Sequence, residues 1–258
     1  MDPATIALAL ASGAIVGTLL ASFGGGGSIL AAPLLLYLVG VGDAHVAIGT
    51  SSLAVAANAA IGLAGHARAG RVKWPCALVF AGAGLAGSLG GSTIAKHLPG
   101  DDLLLAFSIA MAAIALSMFR KPQSDGDGDV HLDTHVAARL VPIGLLTGFA
   151  AGFFGIGGGF LIVPGLILAT HMTMANASAS SLVSVVAFGS ATSFNYALSG
   201  YVDFALAGLL VGGGVIGGVI GLYVARVLAA RALLARRLFA VMVLVVAVYV
   251  AAKALALM

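Results

Sequence analysis

Two stretches of adjacent glycines are the residues best suited to chemistry in this chain. Residues 23–30 read FGGGGSIL and residues 154–161 read FGIGGGFL. Each opens a short apolar run that reaches a proline nine residues after its first glycine, Gly24 to Pro33 and Gly155 to Pro164. A glycine inside a helix costs about 1 kcal/mol relative to alanine, so each cluster reads as a place where a helix is broken. A helix that restarts there exposes N–H groups with no internal partner, together with the positive end of its dipole. With no side chains in the way, an anion can approach those amides closely. Gly24, Gly25, Gly26, Gly27 and Ser28 in the first cluster, and Gly155, Gly157, Gly158 and Gly159 in the second, are therefore the leading candidates for an anion-binding site.

A second polar set follows each cluster. GTSSL at 49–53 is matched by SASSL at 178–182. The hydroxyls of Thr50, Ser51, Ser52, Ser180 and Ser181 could donate to an anion, or bond back to the carbonyls of the preceding turn. Asn58 and Asn195 lie deeper and read as interhelical hydrogen-bonding amides. No Asp, Lys or Arg falls at mid-span, which argues against a carboxylate relay of the kind that carries protons or sodium. His45, His66, His97 and His171 fall near span ends, where their titration near neutral pH is open to a coupling role. No Ser–His–Asp, paired-acid or Cys–His set sits at a plausible depth, so an enzyme is not expected. A GxxxxGK[ST] loop is also missing from the sequence. Asp125, Asp127 and Asp129 begin like a calcium loop, but its sixth position is Val130 rather than Gly and its twelfth Val136 rather than Glu. No metal or cofactor is expected.

The elements that must position these residues are membrane helices. Of 258 residues, 61% are hydrophobic and 8% charged, against about 25% charged in a soluble domain. Apolar segments fall at 4–22, 28–39, 45–65, 74–95, 102–119, 138–154, 159–170, 176–198, 204–225 and 238–256. Most approach the roughly 20 residues that cross a bilayer as a helix. Segments 28–39 and 159–170, which follow the glycines, are much shorter. The lone Cys76 excludes an intrachain disulfide, and the first apolar run lacks the basic start of a cleaved signal. The excess of Lys and Arg over Asp is read as setting membrane orientation, not as binding nucleic acid.

The chain is duplicated. Gly13, Gly17, Gly24, Gly26, Gly27 and Pro33 recur 131 residues later as Gly144, Gly148, Gly155, Gly157, Gly158 and Pro164. Gly70 and Val72 recur as Gly200 and Val202, and Gly84, Gly87 and Gly91 as Gly214, Gly217 and Gly221. This divides the chain into a first transmembrane repeat (1–119), a polar linker (120–137) and a second repeat (138–258). If each glycine cluster turns the chain back to the side it came from, the repeats are inverted. Arg68, Arg71, Lys73, Arg120, Lys121, Arg139, Arg226, Arg231, Arg236 and Arg237 then share one side, with only Lys96 and Lys253 opposite. A parallel arrangement leaves nearly no bias, so the positive-inside rule favours inversion. The expectation is an all-α polytopic membrane protein of two inverted repeats. Each has a Gly-broken first helix, re-entrant or hairpin, and then three spanning helices. The linker is cytoplasmic and both termini periplasmic. Such repeats place a site where broken helices converge near the midplane. The GxxxG-spaced glycines Gly13/Gly17, Gly144/Gly148/Gly152, Gly87/Gly91 and Gly217/Gly221 read instead as packing faces, within or between chains, which leaves a homo-oligomer open.

The duplicated glycine–proline clusters, GTSSL/SASSL and the basic inter-span loops resemble the TauE/SafE sulfite exporter family of bacterial membrane proteins over essentially the whole chain. The resemblance implies a secondary transporter in the inner membrane that exports sulfite or an organosulfur anion such as a short sulfonate. It also implies that residues 24–28 and 155–159 line the substrate path. Ile156 stands where the first cluster has Gly25, so the halves would not contribute identically. The expected partners are the small anion and the lipid bilayer. An anion channel of the same architecture is the alternative.

Overall fold

A computed structural model describes residues 1–119, 130, 132–155, 159–229 and 232–257. Those residues form helices and connecting turns. In the first half these are α1 (Pro3–Phe23), a 3-10 helix (Gly24–Leu30), the single turn α2 (Ala31–Pro33), a π-helical stretch (Leu34–Val39), α3 (Ala44–Arg68), α4 (Trp74–Ala95) and α5 (Gly100–Met118). In the second half they are α6 (Thr134–Phe154), α7 (Gly159–Thr170), α8 (Met174–Ala197), α9 (Phe204–Ala229) and α10 (Ala232–Leu257). Among the described residues, eight helices are long and apolar enough to cross a membrane: α1, α3, α4, α5, α6, α8, α9 and α10. The calcium-like acids of the linker lie outside the described residues.

Local sequence sets the helix boundaries. The Asp43 carboxylate accepts from the N–H groups of His45 and Val46 and starts α3. Asp133 does the same for α6 through Val136, and Thr173 for α8 through Asn176. The stops repeat between halves. Gly40 and His171, 131 positions apart, both take left-handed backbone (φ 83° and 56°) after the short segments. Gly70 and Gly200 do so after α3 and α8, at φ 67° and 76°. A left-handed residue at this place closes a helix by satisfying its last carbonyls.

The halves interlock. α1 runs parallel to α9 of the other half, with Gly13 against Leu210, Gly17 against Gly214 and Gly221 against Thr18. Their repeat partners do the same: α6 runs parallel to α4, with Gly148 against Gly84, Gly152 against Ser88 and Gly91 against Phe149. A Cβ on Gly13, Gly17, Gly91, Gly148, Gly152 or Gly221 would strike the neighbouring backbone. Lipid supplies no hydrophobic force between helices, so close backbone approach through small residues is what joins them. The packing role read for the GxxxG sets is therefore the one they occupy.

α3 and α8 run antiparallel. Gly49, near the start of α3, lies against Tyr196 at the end of α8 and Tyr201 beyond it, while the Lys73 N–H, past the end of α3, donates to Ser180 near the start of α8. α5 and α10 are antiparallel too. Leu104 shares a cluster with Val250 and Ala254, and Met111 and Ala115 share one with Phe239 and Val243. Large apolar side chains such as Leu146, Val219 and Tyr223 face outward, which suits a surface solvated by lipid.

Candidate functional site

The chain reverses direction between α6 and α7. α6 stops at Phe154, and Gly155 takes left-handed backbone (φ 63°) with its N–H returning to the Ala151 carbonyl. α7 then runs back along α6, so that Gly165 sits against Thr147 and Ile143. Gly157 and Gly158 lie outside the described residues, and Gly159 is the first residue of α7.

The first cluster also turns the chain back, but differently. Gly27 lies against the backbone of Leu19 and Leu20 in α1, at a distance no side chain would permit. Gly24, Gly25, Gly26, Gly27 and Ser28 fall within the 3-10 helix, and π-helical turns complete the segment. A run of 3-10 inside a longer helical path marks strain or a hinge. It also engages N–H groups that a fresh α-helix start would leave free. The described backbones differ: the first short segment opens as a 3-10 helix at Gly24, whereas α7 is α-helical from Gly159.

The two reversals come together. Ile29 and Leu30 of the first segment pack in one cluster with Phe154 and Leu161 of the second, closed on one side by Phe107 and Met111 of α5 and Phe239 and Val243 of α10. On another side stands α3: Gly155 presses against Ile48, and the Ser52 hydroxyl donates to the Gly155 carbonyl at 2.7 Å. Ser28 is fully buried.

The other hydroxyls hold backbone. Ser51 donates to the Ile48 carbonyl at 3.1 Å and Ser181 to the Ser178 carbonyl at 2.8 Å, both within the preceding turn. Thr50 accepts from the Asp203 N–H at 3.0 Å and Ser180 from the Lys73 N–H at 2.9 Å. Each of those two bonds ties an inner helix of one half to the loop that leads into the next span of the other half.

The two asparagines separate. Asn195 is the interhelical amide the sequence suggests: its Nδ2 donates to Ser92 and Thr93 of α4, and its two oxygens accept from the Lys96 ammonium at 3.0 and 2.8 Å. The ammonium donates a third bond to Ser199 at 2.9 Å. Asn58 is different. It lies against Gly214 of α9, nearly buried, and its Oδ1 accepts no hydrogen bond. At the repeat-related position Phe188 lies against Gly84. The sequence did carry a signal for this pairing, since 58 to 188 and 84 to 214 share one offset, but it did not single Asn58 out. Among the described residues no three His, Cys, Asp or Glu side chains converge as a metal site would require.

The family model described as "Sulfite exporter TauE/SafE" matches residues 9–250. The chain belongs to the TauE/SafE sulfite exporter family. A "probable membrane transporter protein" of Xylella fastidiosa (strain 9a5c) is 45% identical over 222 residues, covering 86% of this chain and 85% of its own length. The Bacillus subtilis (strain 168) "probable membrane transporter protein YunE" is 27% identical over 235 residues, covering 83% and 86%. A Methanocaldococcus jannaschii protein of the same description is 31% identical over 166 residues, covering 62% and 60%. No solved structure matches the chain. Family, relatives and eight spans agree on a multi-pass membrane transporter.

Proposed function

We propose that this TauE/SafE member exports a small sulfur-containing anion, sulfite or a short sulfonate, across the inner membrane by alternating access. The observation that carries the reading is the side-by-side packing of the two glycine reversals, buried between α3 on one side and α5 and α10 on another. Gly24 to Ser28 and Gly155 to Gly159 are the anion's contacts, through backbone N–H groups that open as the reversals part. Ser52 holds the second segment through the Gly155 carbonyl, while Thr50 and Ser180 tie α3 and α8 to the loops of the opposite half.

The architecture behind it is a pair of inverted repeats, 1–119 and 138–258, joined by a cytoplasmic linker, with both termini periplasmic. Equivalent helices α3 and α8 run antiparallel, as do α5 and α10. α1 and α6 exchange partners between halves. A two-fold axis in the membrane plane produces both relations, and rocking one repeat against the other would expose the site to either side in turn. With no fixed counter-ion at mid-span, the membrane potential alone, negative inside, drives an anion outward by about 2.3 kcal/mol per charge per 100 mV.

The test is counterflow. Proteoliposomes preloaded with unlabelled sulfite, without an ion gradient, should transiently accumulate labelled sulfite above equilibrium, and short sulfonates should suppress it. Equilibration without overshoot would identify an anion channel instead. No flux of either substrate would remove the substrate assignment.

A further inference from the structure

The two ends of the α3–α8 pair are one scaffold used twice. At one end the Lys73 N–H donates to Ser180, and at the other the Asp203 N–H donates to Thr50. Positions 50 and 180, and 73 and 203, stand 130 apart. The same offset relates Asp43 to Thr173, which cap α3 and α8, and His66 and Arg71 to Tyr196 and Tyr201. The backbones correspond and the charges do not. One end carries Asp43 and Asp203, with the His45 ring 6.1 Å from that of Tyr196 and 5.3 Å from that of Tyr201. The other carries Lys73 and Arg71, whose N–H donates to the His66 carbonyl at 3.2 Å. Arg68 and Arg71 are exposed there.

Neighbouring helices extend the contrast. Gly100, which precedes Asp101 and Asp102 at the start of α5, lies against Ala44, the residue after Asp43. Lys96 and Lys253 are the cations at this end, and Lys96 is held by Asn195 and Ser199. At the opposite end Arg139 of α6 joins the cations, and Asp133 is the acid among the described residues. Membrane insertion explains only half of this. The positive-inside rule counts Lys and Arg, and acids contribute little to it, so it does not gather aspartates at the far end. Capping does not require them either. Thr173 caps α8 without a charge, as Asp43 caps α3 with one. Asp203 caps α9 through the Leu206 N–H at 2.9 Å, whereas Lys73 in the equivalent place makes no side-chain cap.

We propose that the cationic end is the loading mouth of the carrier, where Arg68 and Arg71 gather the anion, and that the aspartates of the acidic end weaken anion binding at the face of release. The inference rests on the reading above that the chain carries a small anion. A mouth lined by one sign of charge raises the local concentration of its counter-ion, and salt screens the effect. One unit charge about 10 Å from a monovalent anion in water alters its affinity about twofold, and two charges about fourfold. Such charges set how tightly each face holds the anion and leave the final equilibrium unchanged.

The experiment uses the full chain with an affinity tag fused after Met258, reconstituted sparsely in phosphatidylcholine vesicles. The end of α10 packs with Ala44 and Leu104, so vesicles captured by the tag expose the acidic end and uncaptured carriers expose the cationic one. Uptake of labelled sulfite is measured without a membrane potential. In about 10 mM salt the KM should be at least about fourfold lower for the uncaptured vesicles, and the gap should close near about 0.2 M. Arg68→Gln with Arg71→Gln should raise the KM about fourfold in uncaptured vesicles alone, and Lys at both positions should restore it. Asp43→Asn with Asp203→Asn, which keeps both capping oxygens, should lower the KM about fourfold in captured vesicles alone. The aspartate pair decides the matter if the arginine variant does not insert. Equal wild-type KM values for the two faces overturn the proposal. So does a variant that shifts both faces alike, or a shift that appears only when anionic lipid is added, which would assign the arginines to headgroups. If the wild type carries no sulfite from either face, the function reading falls and takes this inference with it. Wild-type carriage with unaltered variants sinks the inference alone.

Discussion

The Ser52 hydroxyl on α3 donates to the Gly155 carbonyl at 2.7 Å, and the backbone of Gly155 leaves no room for a Cβ beside Ile48. A hydrogen bond and a steric limit therefore fix the same point of the second reversal against the first half. Ser52→Ala should destabilise by about 1 kcal/mol. Gly155→Ala should cost more, about 1–2 kcal/mol for left-handed backbone and about 1–3 kcal/mol for the collision. Thermal unfolding in detergent ranks the two. Equal melting temperatures would mean that the reversal is not held at this point.

The glycines of α4 divide by face, which allows a comparison within one helix. Gly87 packs against the Leu145 backbone, whereas Gly90 faces open space. Gly87→Ala should separate α4 from α6 and lose both stability and transport. Gly90→Ala should be neutral or stabilising by up to about 1 kcal/mol, the helix-propensity difference. If the two variants behave alike, close α4–α6 packing is not what holds the halves together.

Lys96 is satisfied by three acceptors at the end of α8, two on Asn195 and one on Ser199. Lys96→Met keeps the apolar stem and deletes all three bonds. The expected loss is about 1–3 kcal/mol, reduced from the buried limit because the ammonium is partly solvated. Lys96→Arg should not rescue fully, since a planar fork cannot reproduce a three-way ammonium geometry. A melting curve for each variant decides it; full stability in Lys96→Met would show that water replaces the network.

Inverted repeats place the two ends of the second half on opposite sides of the membrane. A reporter fused after Lys253 should read as periplasmic and one inserted at 123–130 as cytoplasmic. Two cytoplasmic readings would restore parallel repeats.

The packing glycines show how much of the fold was legible. Their spacing names the faces, because a helix repeats every 3.6 residues and only glycine admits a backbone at that distance. Their partners were not legible: nothing local to Gly17 says that it meets Gly214 rather than a glycine of its own half. The hydroxyls illustrate the same limit within the site. Ser51 and Ser52 are adjacent and chemically identical, yet one bonds back within its helix and the other crosses to Gly155. Successive residues on a helix point about 100° apart, so which hydroxyl meets the reversal depends on what stands opposite.

By itself, the sequence determined that this chain lives in a membrane, that glycines and prolines recur at a constant offset, and that a short apolar segment follows each glycine cluster. Hydrophobicity, repetition and backbone freedom are properties of residue types and survive without neighbours. The tertiary structure decided that the halves exchange partners, that the first short segment runs as 3-10 and π turns while α7 is α-helical from Gly159, and that Asn58 keeps an unpartnered oxygen where Phe188 fills the other half. Those outcomes depend on which surfaces meet, and a polar atom is satisfied or orphaned only once the helix across from it is in place.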